Sequence, residues 1–233
     1  MGQTARRWAG TGSRSSGRCT PSVSTVGSTV PANGDLNPYD TALVKKSTGD
    51  LRRGNVFVSS FNNAANQQGT GITLVQISPK ARPDSSLRST RTDCRARARG
   101  GVRLTTALSI LPGGWVVVGS LPTTDGTSAT AQAGCLIVLD KHGKVREPLS
   151  GKGINGPWDM TAKSHGDRTD LFVTNVLNGT VAGGGGDVVR EGTVLRITCA
   201  ATTTGRRPVS ACGMGRSMWR TQRTTASPRS RTR

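Results

Sequence analysis

The chain has 233 residues, 33% apolar and 3% aromatic, with a formal net charge of +19. That apolar share is below the roughly 45–50% of average domains, and 31 Gly with 11 Pro suit a loop-rich β protein better than a helical one. No apolar run reaches the about 18 residues of a membrane span, and the first thirty residues lack the apolar stretch of about 7–15 residues that an export signal needs.

The charge divides the chain. Segments 1–35, 81–103 and 199–233 hold 19 Arg, no Lys, and only Asp35, Asp84 and Asp93 as acids, a net +16. The other 140 residues carry +3 and all seven lysines. The expected organisation is a basic low-complexity segment over 1–29, a body over 30–198 interrupted by the Arg-rich stretch 81–103, and an Arg-rich tail over 199–233. Low hydrophobicity with high net charge predicts irregular or disordered basic termini.

Along the body, landmarks repeat. Asn37-Pro38-Tyr39-Asp40-Thr41-Ala42 returns loosely as Gly156-Pro157-Trp158-Asp159-Met160-Thr161-Ala162, an offset of 119 residues or two units of about 60. Val56–Ser60 aligns with Val116–Ser120 and Leu171–Asn175. Gly71–Val75 aligns with Gly134–Val138 and Gly192–Ile197. Each unit reads as a Pro- or Thr-marked strand, a turn, a β-branched run, a polar loop and a second β-branched run. Pro112-Gly113-Gly114 and Lys141-His142-Gly143-Lys144 supply tight turns between strands.

Units of this kind predict an all-β chain forming an incomplete β-propeller of about three blades of antiparallel strands, because radially packed sheets bury faces that one sheet alone exposes. An ordinary β-sandwich is the alternative. Propellers close with four to eight blades. Three would leave apolar faces open, predicting poor solubility or self-association.

Phe172-Val173-Thr174-Asn175-Val176-Leu177-Asn178-Gly179-Thr180-Val181 resembles the strand signature of NHL repeats. With the phrases Val30-Pro31-Ala32-Asn33-Gly34-Asp35 and Gly119–Gly126, stretches 30–79 and 104–198 are similar to uncharacterised bacterial NHL-like or six-bladed propeller proteins, many of them exported. The resemblance implies a fold and an extracytoplasmic parent. It brings no activity with it.

The Arg/Ala/Thr/Ser composition of 81–103 is what GC-rich coding DNA yields out of frame. Read two nucleotides later with GC-rich codons, Asp84–Gly100 becomes Leu/Pro/Asp-rich, and Arg216–Ser227 becomes close to another NHL strand. The chain is therefore expected to be a truncated or frameshifted family member.

Candidate chemistry is sparse. Tyr39, Asp40, Trp158 and Asp159 hold equivalent positions where strands begin, so they either line the top of a central channel and bind a ligand or simply form turns. Asn175 carries the same two readings, as do Asn62, Asn63 and Asn178. The five cysteines show no local ligand spacing, and His142 and His165 stand 23 residues apart, so no metal or cofactor is expected. Cys135 reads as a small buried hydrophobe. Gly183–Gly186 lacks the Lys-Ser/Thr of a phosphate loop.

The function expected is a non-enzymatic propeller scaffold or binding module for an unknown small molecule or protein. One alternative is a remnant of a propeller hydrolase or lactonase, whose channel would collect carboxylates and a metal. The other is a nucleic-acid binder using Arg206, Arg207, Arg216, Arg220 and Arg223. Only Trp219 accompanies those arginines for base stacking, so contact with nucleic acid is expected to be non-specific.

Overall fold

The computed structural model describes residues 22–79, 87–91, 105–121, 123, 125, 127, 130, 132–166, 168–176, 192–200 and 221–224. Among them the chain is all-β: three four-stranded antiparallel sheets and no helix long and apolar enough to cross a membrane. Sheet I orders β1 (Leu36–Leu43), β2 (Val56–Asn62), β3 (Thr73–Ile77) and β4 (Leu87–Arg91). Sheet II orders β5 (Thr105–Leu111), β6 (Trp115–Ser120), β7 (Cys135–Leu139) and β8 (Val145–Ser150). Sheet III orders β9 (Pro157–His165), β10 (Arg168–Asn175), β11 (Thr193–Ala200) and β12 (Thr221–Thr224).

The β-branched runs become the second and third strands, which are paired on both edges; β2, β3, β6 and β7 are buried on both faces, β10 and β11 chiefly on one. Both turns read from the sequence are found. Pro112–Gly114 forms a short 3-10 turn between β5 and β6, and Asp140 Oδ1 accepts the His142 and Lys144 N–H groups to close the β7–β8 turn. The fourth strands are polar (LRSTR, VREPLS, TQRT) and, among the described residues, have no partner on their far edge. Pro148 is tolerated in β8 because an outermost strand has one edge to spare.

The segment 81–103, read as an interruption, contains β4. The tail 199–233, read as disordered, contains the end of β11 and all of β12. Backbone pairing asks nothing of side-chain polarity at an outer edge, so these strands form where no apolar pattern announces them. The third-strand alignment is also one residue out. Val58, Val118 and Val173 pair opposite Val75, Ile137 and Leu195 respectively, so the sequence match of Val75 with Val138 would have turned each side chain to the wrong face.

The sheets stack in chain order. β5 packs against β1 and β2 on one side and β9 on the other. Phe57 and Leu74 of sheet I meet Val116, Val118, Cys135, Ile137 and Leu139 of sheet II. Its opposite face, with Val117, Leu136 and Val138, meets Leu171, Val173, Leu195, Ile197 and Cys199 of sheet III. Cys135 and Cys199 are buried, and burial pushes the Cys135 thiol up to about 11.

The broad exposed apolar faces expected at the two ends of the row are absent among the described residues. On sheet I the outward Val58, Val75 and Ile77 are themselves buried. On sheet III the outward face is mixed. Buried Asp170 accepts from Arg196 at 2.7 Å, Thr198 Oγ1 at 2.7 Å and Arg168 at 3.1 Å, and these donors hold its carboxyl far below the carboxylate range. Val194 is the exposed large apolar side chain there.

Candidate functional site

The first strand of every sheet carries the same irregularity. Two residues oppose one: Tyr39-Asp40 face Ser59, Thr106-Ala107 face Gly119, and Trp158-Asp159 face Thr174. Such β-bulges bend a strand and re-aim its side chains. The candidate pairs read from the sequence therefore sit in equivalent bulges, and the middle unit has its own pair, Thr106-Ala107, which lacks both the aromatic ring and the acid.

Without a bulky residue at Thr106, the flanking aromatics meet. Tyr39 stacks on Phe61 with centroids 5.3 Å apart, and Trp158 stands edge-on to both at 5.5 and 5.8 Å. Leu121 completes this cluster. Phe61 and Leu121 were not singled out in the sequence. The one available signal was rarity, since the chain has only three Phe, four Trp and one Tyr.

Polar groups around the aromatics stitch the sheets together. Asp40 Oδ2 accepts the Leu108 N–H of β5 at 2.6 Å, and its Oδ1 accepts the Thr41 N–H at 2.6 Å. Ser59 Oγ accepts the Asp40 N–H and donates to the Thr106 carbonyl at 2.8 Å. Thr106 Oγ1 in turn donates to the Pro157 carbonyl of β9 at 2.7 Å. Gly119 is required here, because a Cβ at that position would collide with Thr106 Oγ1. Asp159 repeats only the local half of this pattern: its Oδ1 accepts Met160 N–H at 2.8 Å, and its own N–H donates to Thr174 Oγ1 at 2.9 Å.

Asn175 lies deeper, 1% exposed. Its Oδ1 accepts the Asn155 and Gly156 N–H groups, both at 2.9 Å, and its Nδ2 donates to the Gly153 carbonyl at 2.8 Å. The amide is thus spent on the loop before β9. Asn62 and Asn63 likewise bond within their own turn, to Asn66 and Gln67.

Burial pushes the Tyr39 hydroxyl up to about 12, with the Asp159 and Asp40 carboxylates adding to it. Burial also raises Asp40, Asp159 adds to the rise, and the Leu108 and Thr41 N–H groups oppose it. Tyr39 is the single tyrosine of the chain, so its titration is directly readable. Absorbance near 295 nm should rise in one step near pH 12 when folded and near 10 when denatured. The folded pKa is raised, so this residue's contribution to stability is full below about pH 10 and is lost between 10 and 12. A folded-state step near 10 would show that the ring is solvated.

The first strands also end together. Their far ends, with the turn after β5 and the start of the β1–β2 loop, enclose a cavity of about 690 Å³ lined by Thr41, Lys45, Lys46, Ser109, Thr161 and Ser164 among others. No reading of the sequence pointed to it. Among the described residues no three of His, Cys, Asp or Glu converge on one point that could hold a metal ion. Arg206, Arg207, Arg216 and Arg220 lie outside the described residues, as do Asn178, Gly183–Gly186, Cys19, Cys94 and Cys212, while Arg223 is paired opposite Leu195 in β12. Compared with protein-family models, curated proteins and solved structures, the chain finds no match.

Proposed function

We propose that this chain is a non-enzymatic binding module, part of an NHL-like β-propeller, whose ligand groove runs between the first strands of its three sheets. The observation that carries the reading is their equivalence: three consecutive four-stranded meanders, each with its bulge at the same place, stacked in chain order with their first strands adjacent. Radial repetition of such sheets is how propellers manage their edges. Four to eight blades close the ring, which agrees with a truncated or frameshifted parent. Reading all three frames of the gene across codons 79–103 and beyond 198 tests that part, and propeller-like sequence in no other frame would refute it.

Binding rather than catalysis is favoured because the polar groups near the aromatics are already committed. Both Asp40 oxygens accept backbone N–H groups, and Tyr39 keeps its proton at neutral pH. The open volume lies at the other end, in the size range of small-molecule sites. A thermal-shift screen of small solutes tests the groove with Ala162→Trp as a blocking variant, since Ala162 lines the cavity. Stabilising solutes should raise the Tm of the parent by several degrees and leave the variant unmoved. Equal shifts in both would place binding elsewhere, and calcium-dependent ester hydrolysis would reverse the preference for a non-enzyme.

A further inference from the structure

We infer that the cavity takes a small organic anion, a phosphate or carboxylate head on an apolar body. The inference rests on the groove reading above and names its ligand class. Among the described residues, lysine is concentrated at one end of the sheets. At the bulged ends stand Asp35, Asp40, Asp125 and Asp159, with Lys152 in the loop before β9 and Arg91 at the end of β4 opposite Thr73. At the opposite ends stand Lys45, Lys46, Lys141, Lys144 and Lys163.

Of the described aspartates at the lysine end, Asp140 and Asp170 are ion-paired and Asp50 lies beside His142. Asp50 lies 3.4 Å from His142 Nδ1, Asp140 accepts from Arg146 Nε at 2.7 Å, and Asp170 is held by Arg196 and Arg168. Among the described residues no carboxylate lines the cavity. Lys45 and Lys46 have no ion-pair partner among the described residues.

The rest of the lining is of two kinds. Thr41, Ser109 and Thr161 offer hydroxyl donors, whereas Leu43, Ile110 and Met160 offer apolar surface. Leu43 is 57% exposed, so its side chain is open to a bound molecule. A partly apolar wall strengthens the attraction between a cation and an anion beside it. Lysine on a flexible stem suits an anionic head as a point charge, whichever of the two heads it is.

Titration calorimetry on the full chain tests this with phenyl phosphate, benzoate, inorganic phosphate and uncharged benzyl alcohol as probes. At least one aryl anion should bind at one site per chain, and the tighter of the two identifies the head. The Lys45→Gln/Lys46→Gln variant should weaken it at least about tenfold with unchanged Tm, as expected for losing a charge-assisted contact. Lys144→Gln, outside the cavity, should change it less than about twofold. Equal losses from Lys144→Gln, or tighter binding of a single-stranded RNA 20-mer that displaces the aryl anion, would overturn the inference in favour of a diffuse basic surface. If benzyl alcohol binds, is blocked by Ala162→Trp, and the anions do not bind, the anion assignment falls and the groove stands. If no probe binds and the solute screen is also silent, both fall.

Discussion

Replacing Asp40 by Ala should destabilise the protein by about 3 kcal/mol, whereas Asp159→Ala should cost about 1 kcal/mol or less. The two residues occupy the same bulge position and differ in what they reach. Asp40 Oδ2 crosses to the next sheet and takes the Leu108 N–H, so its removal strands a donor in the interface between sheets I and II. An unsatisfied buried donor costs roughly 1–3 kcal/mol, and the local Thr41 bond is lost as well. Asp159 is exposed and serves only the Met160 N–H beside it. Urea unfolding followed by circular dichroism measures both, and equal losses would mean that the crossing bond contributes nothing.

Asp40→Asn refines this. It keeps a carbonyl oxygen facing Leu108 but removes the charge. Burial raises the Asp40 pKa in the folded state, so the native protein holds this proton more tightly than the unfolded chain does. Stability at this residue is therefore lost as pH rises through the carboxylate range. Asp40→Asn should compare more favourably with the parent at pH 7 than at pH 4.

Asn175→Ala should cost more, about 3–5 kcal/mol, or roughly 10 °C in Tm at this chain length. Its amide serves the Asn155 N–H, the Gly156 N–H and the Gly153 carbonyl from a buried position. Water cannot replace all three partners without opening the loop before β9. Gly156 has no room to relax, since a side chain there would already strike the Val176 carbonyl. Asn175→Asp keeps the two acceptor roles but faces the Gly153 carbonyl with a second oxygen, so it should recover only part of the loss. A cost below about 1 kcal/mol for the alanine variant would show that the loop is held by other means.

Much of the architecture is legible in the residues. Val56–Ser60, Val116–Ser120 and Leu171–Asn175 announce themselves as buried central strands because β-branched runs suit a pleated surface paired on both edges. Pro38-Tyr39-Asp40 and Pro157-Trp158-Asp159 mark equivalent positions, and the structure finds them in equivalent bulges. The third equivalent escapes notice because Thr106-Ala107 shares no side-chain chemistry with the other two. β4 and β12 escape notice because an outer edge imposes no apolar pattern. The one-residue slip in the third strands arises because consecutive residues such as Ile137 and Val138 are both apolar, each facing a different neighbouring sheet. Alternation, the usual guide to register, is erased when both faces are buried.

By itself the sequence determined an all-β chain, the number of its units, the central strands and turns, and the concentration of arginine outside the near-neutral body. These follow from local preference and composition, which neighbouring residues express together. Only the tertiary structure decided which aromatics meet, that Asp40 reaches a second sheet while Asp159 does not, that Asn175 is spent on a loop, and that Lys45, Lys46, Lys141, Lys144 and Lys163 gather at the ends of the sheets away from the bulges. Those facts join residues from different strands, loops and sheets, well separated in the chain, which local preference cannot register.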